Sequence, residues 1–158
     1  MLNFLLKHIL REVPGSALAS DQLYREADLA IDFCEDVSRL PFAEVDRIVA
    51  LMRAAGMTAK ISSIHVNGWF GDYDKLGMTR TLMQERHGVD LARDEANYLF
   101  VGDSPNDAPM FSFFSNSVGV ANVTDFGARL TDAPAYICSR RSGDGFVEVV
   151  ERLLGAGG

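Results

Sequence analysis

The stretch YLFVGDSPNDAPM, residues 98–110, passes from an apolar strand through a polar turn into a helix. Open α/β sheets bind ligands at the carboxyl ends of their strands. Asp103 and Asp107 carry the hard oxygen ligands that suit Mg²⁺, Asn106 adds an amide beside them, and Gly102 allows the tight turn. The stretch therefore predicts a magnesium site. The alternative is an Asp/Asn-rich turn that only caps the following helix.

The segments around this stretch alternate between strand and helix patterns. Apolar periodicity predicts helices and strands in the order helix 76–88, strand 97–103, helix 108–114, strand 117–122, helix 124–132, strand 135–139 and helix 145–154. Strand–turn–helix units of this kind are typical of a parallel α/β sheet.

The beginning of the chain has a different rhythm. It predicts helices over 2–12 and 41–56 and strands over 28–34 and 57–70, the last of these being one strand or two with a break near Asn67 and Gly68. We therefore predict two segments, an α+β segment over residues 1–70 and a parallel α/β segment over 71–158.

Composition narrows the range of functions. The chain has 158 residues, 47% of them hydrophobic, a net charge of −7 and a pI of about 4.9. This acidic balance argues against nucleic acid or an anionic membrane as partner, but it allows a small phosphorylated substrate. Cys34 and Cys138 fit no zinc spacing and are typical of reduced core cysteines in a cytoplasmic protein.

A second polar stretch, GWFGDYDKLGMT over residues 68–79, has two interpretations. Asp72 and Asp74, spaced two apart, can be a phosphoryl-transfer nucleophile and its acid/base partner. Alternatively, Lys75 can be a phosphate-binding lysine. A solvent-exposed turn without function is the third possibility.

The sequence GDSPND, followed by Met110 and by VGVAN over 118–122, resembles the last motif of the haloacid dehalogenase (HAD) superfamily. The upstream half is similar to the subfamily with an inserted α+β cap, type IIB, which includes sugar-phosphate phosphatases. The resemblance implies a cap-like segment over 1–70 and the C-terminal half of a HAD-like core over 71–158. It implies hydrolysis of a phosphate monoester with Mg²⁺ as cofactor and a small phosphorylated metabolite, possibly a sugar phosphate, as substrate.

The resemblance also assigns roles to individual residues. Lys75 opens a helix 27 positions before Gly102, as the family's phosphate-binding lysine does, and this favours it over Asp72 as the functional group. Asp103 and Asp107 are the implied metal ligands, Lys75 and Asp107 the implied catalytic residues, and Asn106 an implied phosphate contact. From the residues alone, Arg25 is a further candidate for binding an anionic substrate, with a surface ion pair as the alternative.

The chain departs from the family in one respect. No apolar strand before Asp103 ends in the aspartate motif that attacks phosphorus in that family. We therefore expect this chain, taken alone, to be inactive: a truncated hydrolase, or a non-catalytic binding module that acts through a partner. In the family the nucleophile strand lies next to the strand at 97–102. We thus expect the 97–102 edge to be covered by a second copy or by a missing N-terminal fragment.

Overall fold

The computed structural model describes residues 2–155, and the chain divides into two compact units that meet between Asp72 and Tyr73. The first unit contains helices α1 (Leu2–Glu12) and α2 (Phe42–Ala54) and strands β1 (Ala17–Leu18), β2 (Asp28–Asp32), β3 (Thr58–Ile61) and β4 (His65–Trp69). The strands form one antiparallel sheet in the order β1-β2-β4-β3.

The hydrophobic core of the first unit forms one continuous cluster between the two helices and one face of the sheet. Leu5 and Ile9 of α1 pack with Ile48 of α2 and with Ile31 of β2. Leu29, Ile31 and Phe33, at alternate positions of the strand predicted over 28–34, all lie in this cluster. Pro41 precedes α2 and the positive φ of Gly56 follows it, as the predicted helix boundaries require.

The strand pattern over 57–70 is interrupted, but the predicted position of the break is wrong. The chain turns at residues 62–64, where the hydroxyl and amide of Ser62 bond the carbonyl of His65. Gly68 instead lies inside β4, where a Cβ atom would come within 2.7 Å of the Met52 sulfur. The glycine therefore permits close packing of α2 on the sheet and does not end the strand.

The second unit is a three-stranded parallel sheet with helices on both faces. Its elements are α3 (Lys75–His87), α4 (Leu91–Asp94), β5 (Phe100–Gly102), α5 (Ala108–Phe113), β6 (Ser117–Gly119), β7 (Tyr136–Ile137) and α6 (Ser142–Gly155). The strand order is β5-β6-β7, which places β5 at an edge. Short 3₁₀ turns at 95–97, 105–107 and 121–129 join these elements, and the last replaces the helix predicted over 124–132.

Each face of this parallel sheet has its own small cluster. On one face, Val149 of α6 packs against Val101, Val118 and Val120. On the other, Phe100 packs with Phe111 of α5 and with Phe114, the residue that follows α5; their ring centroids lie 5.6 and 6.0 Å from that of Phe100. The predicted mixed fold, an α+β segment followed by a parallel α/β segment, is confirmed. No helix among residues 2–155 has the length and apolar character needed to cross a membrane.

Candidate functional site

The site forms where β5 ends and the chain turns into α5. Ser104 begins the 3₁₀ turn, and the amides of Asp103 and Ser104 both donate to Oδ2 of Asp107, over 2.9 and 3.4 Å. The Ser104 hydroxyl donates to Oδ1 of Asn106 over 2.8 Å. The turn is therefore organised around a buried carboxylate, and the capping role weighed from the sequence is part of its geometry.

Gly102 is required by this arrangement for its small size. A Cβ atom at this position would lie 2.6 Å from Oδ2 of Asp107 and 2.8 Å from the Phe111 ring. Only a residue without a side chain lets the Asp107 carboxylate lie directly against the end of the strand.

Lys75, the first residue of α3, is the third member of the site with Asp103 and Asp107. Its ammonium contacts Oδ1 of Asp107, so both oxygens of that buried carboxylate have partners. The Lys75 side chain is still 45% exposed, whereas that of Asp107 is 3% exposed. The ammonium is thus fixed at one side by Asp107 and open to an anion at the other.

The start of α3 gives one residue of the GWFGDYDKLGMT stretch a structural role. Asp74 is the N-cap of α3, and its carboxylate accepts the amide of Gly77 over 2.7 Å. Asp74 therefore has a structural role that needs no chemistry. Asp72 is exposed and is the last residue of the first unit.

Asp103 differs from its neighbours because its carboxylate has no hydrogen-bond or ion-pair partner among residues 2–155. It lines an open cleft of about 380 Å³, together with Lys75, Gly102, Asp107, Ser142, Gly143 and Phe146. The residues from the start of α6 were not predicted from the sequence, since only the folded sheet brings them near β5. Among the described residues, no three histidine, cysteine or acidic side chains lie close enough together to form a metal centre.

The donor set therefore suits Mg²⁺ in part. Asp103 supplies one free carboxylate, and Mg²⁺ is commonly bound through one or two carboxylates with waters and substrate phosphates. Asp107, the second ligand predicted from the sequence, already accepts hydrogen bonds at both oxygens. The amide of Asp103 donates to Asp107, so Asp107 suits support of a metal site as well as direct binding of the ion.

Arg25 lies in the first unit within a dense ion-pair cluster. Its Nε and Nη2 donate to both oxygens of Asp21, and its Nη1 donates to Asp28 over 2.6 Å. The hydrogen bond with Asp21 is the largest cause that raises the pKa of Arg25, and the same bond lowers the pKa of Asp21. All three guanidinium nitrogens are engaged, so an anion would have to displace a carboxylate to bind there.

Comparison with solved structures places this geometry in a known fold. A protein of Thermoplasma acidophilum is 19% identical, with a TM-score of 0.61 over 95% of this chain and 60% of that chain. The sucrose-phosphatase of Synechocystis, solved with sucrose and phosphate, is 18% identical, with a TM-score of 0.62 over 96% of this chain and 62% of that one. A haloacid dehalogenase-like hydrolase from Bacteroides thetaiotaomicron is 19% identical, with a TM-score of 0.51 over 85% of this chain and 48% of that one.

No family profile matches the sequence, and no curated protein does. The chain spans about three fifths of the length of the first two structures and about half of the third. At these identities the likeness concerns the fold and not the reaction. This chain has the fold of the haloacid dehalogenase-like hydrolases, over a cap-like antiparallel unit and a parallel core-like unit.

Proposed function

We propose that this chain carries the phosphate-binding and metal-binding part of a phosphate-monoester hydrolase. The observation that carries the proposal is the group at the end of β5: Lys75, whose side chain is half-exposed and whose ammonium contacts buried Asp107, beside the free carboxylate of Asp103. One fixed cation and one free carboxylate at a parallel strand end suit a phosphate dianion bridged to a divalent metal.

Each residue has a distinct role in this proposal. The Lys75 ammonium binds a non-bridging phosphate oxygen and offsets the negative charge that develops there during transfer. Asp107 orients that ammonium, and the Asn106 amide lies beside the phosphate. Asp103 holds Mg²⁺, with Asp107 behind it; when bound, the ion supplies further positive charge to the phosphoryl oxygens.

The nucleophile is the component that this group lacks. Among the described residues that line the cleft, the only carboxylates are Asp103 and Asp107, and both have other roles in this proposal. Turnover would therefore need a carboxylate from outside residues 2–155. We expect the chain taken alone to bind phosphate without hydrolysing esters.

The substrate class in this proposal is a small phosphorylated metabolite, with a sugar phosphate as the first candidate. Support comes from the sucrose-phosphatase that shares the fold and was solved with sucrose and phosphate. Arg25 remains a proposed substrate contact, on the condition that the substrate displaces Asp21 or Asp28. The second candidate is a non-catalytic module that binds phosphate and acts through assembly, and the one-sided pairing of β5 favours it.

Calorimetric titration with inorganic phosphate, with and without Mg²⁺, tests the proposal. We expect Mg²⁺-dependent binding that falls about tenfold or more in Lys75→Met and in Asp103→Asn, because each removes a charge from the site. Lys60→Met, an exposed lysine of β3, is the matched control and should bind like the wild type. Equal binding by the two lysine variants would refute the proposed site.

A parallel assay with an aryl phosphate tests the absence of turnover. We expect no Mg²⁺-dependent hydrolysis by the 158-residue chain. Hydrolysis that disappears in Asp72→Ala would instead make Asp72 the nucleophile and would overturn our assignment of the GWFGDYDKLGMT stretch.

A further inference from the structure

The hydroxyl of Ser104 is a buried polar group that the proposed function leaves without a role. Ser104 is 1% exposed and lies in the turn between β5 and α5, directly after Asp103. A buried hydroxyl costs stability unless it has a hydrogen-bond partner. Its partner is Asn106, whose Oδ1 lies 2.8 Å from the Ser104 oxygen.

The direction of this hydrogen bond follows from the two atoms that it joins. Oδ1 of Asn106 is a carbonyl oxygen, which can only accept, so the Ser104 hydroxyl donates. Pro105 stands between the two residues, and its ring fixes one backbone angle of the turn. The Asn106 carboxamide is therefore held with its oxygen turned towards Ser104.

The nitrogen end of the same carboxamide is free. Within residues 2–155 the Asn106 NH₂ group makes no hydrogen bond, and the residue is only partly buried. Every buried side-chain nitrogen or oxygen in the described part of the chain has a partner, so this NH₂ group reaches the solvent. An NH₂ group donates hydrogen bonds and has no lone pair to offer a cation.

Asn106 differs in this respect from the two carboxylates of the site. The free carboxylate of Asp103 only accepts, which suits a metal ion, and Asp107 accepts from Lys75 and from the amide of Asp103. A reversed Asn106 carboxamide would expose an oxygen, which attracts cations and repels phosphate. The hydrogen bond from Ser104 therefore decides which kind of ion Asn106 can bind.

We propose that Ser104 is a positioning residue that makes Asn106 a hydrogen-bond donor to phosphate. The Ser104 hydroxyl holds Oδ1, and the NH₂ group is left to donate to a non-bridging phosphate oxygen. Ser104 is too deeply buried to touch the substrate, so it acts only through Asn106. This inference rests on the proposed phosphate site, to which Lys75 contributes the positive charge.

A double-mutant cycle, measured by calorimetric titration of inorganic phosphate at saturating Mg²⁺, tests this role. Ser104→Ala and Asn106→Ala should each weaken phosphate binding about fivefold, because each removes the fixed donor. The double variant should bind no more weakly than Asn106→Ala, since Ser104 has no other route to the substrate. Losses that simply multiply in the double variant would contradict a role through Asn106.

Ser117→Ala is the matched control for Ser104→Ala. Ser117 is also 1% exposed, and its hydroxyl donates to the carbonyl of Phe111 in the same unit. Both variants should lower the temperature of unfolding, but only Ser104→Ala should weaken phosphate binding. An equal loss of affinity in the two variants would attribute the effect to general loosening of the unit and would overturn the proposal.

Asn106→Asp tests the orientation of the carboxamide, because it keeps the shape of the side chain and replaces the NH₂ group by an oxygen. We expect weaker phosphate binding than in Asn106→Ala, since like charges repel. Tighter binding than in Asn106→Ala would make position 106 an acceptor and would refute the role of Ser104.

Lys75→Met separates this inference from the proposed function. Phosphate binding that falls in Lys75→Met but not in Ser104→Ala would leave the proposed site in place and remove Ser104 from it. A wild-type chain that binds no phosphate would overturn the proposed site and this inference together.

Discussion

The strand that carries the candidate site, β5 at the edge of its sheet, is less buried than β2 in the interior of the first sheet. In the first unit, four consecutive residues of β2, from Leu29 to Asp32, are buried and belong to a sheet packed under two helices. In the second unit, all three residues of β5 are only partly buried, although β5 carries the candidate site. The helix α3, which supplies Lys75, has no buried residue at all.

The unit that holds the candidate site is therefore not the unit with the larger hydrophobic core. The first unit buries its apolar residues in a single cluster, which is the core that stabilises its fold. The second unit instead has two smaller clusters, one on each face of its sheet. We therefore expect substitutions in the first unit to cost more stability than comparable substitutions in the second.

The largest effect is expected from a cavity in the first unit. Phe33 is fully buried, and Phe33→Ala should lower the free energy of unfolding by about 4 kcal/mol. Urea unfolding followed by the fluorescence of Trp69, the one tryptophan of the chain, reports on this unit.

The control is the same substitution in the second unit. Phe146 is 54% exposed, and Phe146→Ala should cost about 1 kcal/mol or less. A cost as large as that of Phe33→Ala would show that the second unit is as tightly packed as the first, and the comparison would fail.

The second prediction concerns Gly102→Ala, which forces a methyl group against Asp107 and Phe111. We expect a loss of about 2 kcal/mol in stability, because the strand end must move to relieve the overlap. Phosphate affinity should fall with it, since Asp107 holds the Lys75 ammonium.

Gly143→Ala provides a matched control for Gly102→Ala. Gly143 lines the same cleft, but a Cβ atom there meets nothing within 4 Å. Stability and phosphate titration should both stay near wild type. An equal loss in the two variants would mean that the cleft tolerates no added methyl group, and Gly102 would have no special role.

The sequence predicts the local parts of this molecule well. The helix that begins at Lys75 and ends before the left-handed Gly88 follows from apolar spacing and a glycine terminator. The polar turn at 103–107 is predicted at the end of its strand, where the structure has it. These features depend on neighbours within a few residues, and a single sequence records such neighbours directly.

Features that depend on distant residues are predicted less well. Lys75 and Asp107 are 32 positions apart, and the local pattern of neither segment predicts that they are in contact. The strand predicted over 97–103 is reduced to Phe100–Gly102, because residues 95–97 form a 3₁₀ turn. Ser142, Gly143 and Phe146 join the cleft only through the packing of α6 on the sheet.

The third prediction uses the buried carboxylate at the end of β2. Burial acts to raise the pKa of Asp32, but the amides of Cys34, Glu35 and Asp36 donate to it and together hold its pKa below the usual range. A carboxyl group with a lowered pKa contributes stability above its unfolded pKa of about 3.9, and this contribution is lost as the pH falls through the folded pKa.

Asp32→Asn should therefore cost about 1.5 kcal/mol at pH 7 and make the stability of the first unit less dependent on pH below about 4. Thermal unfolding of both proteins, followed by Trp69 fluorescence from pH 3 to pH 7, measures the difference. Parallel pH profiles for the wild type and the variant would contradict the assignment of this acid sensitivity to Asp32.

The smallest effect is expected at Glu148, the corresponding buried carboxylate of the second unit. The hydroxyl of Ser139 makes the largest contribution to lowering the pKa of Glu148, and the amides of Ser139 and Arg140 add to it. The sign is the same as for Asp32, so Glu148→Gln should remove stability above the unfolded pKa and flatten the acid limb of the unfolding curve. Glu151→Gln, an exposed glutamate one turn later on α6, should leave the curve unchanged. If Glu148→Gln instead lowers stability as much as Asp32→Asn, the carboxylate of Glu148 contributes as much as that of Asp32. The weaker packing of the second unit is then limited to the part of the sheet around β5.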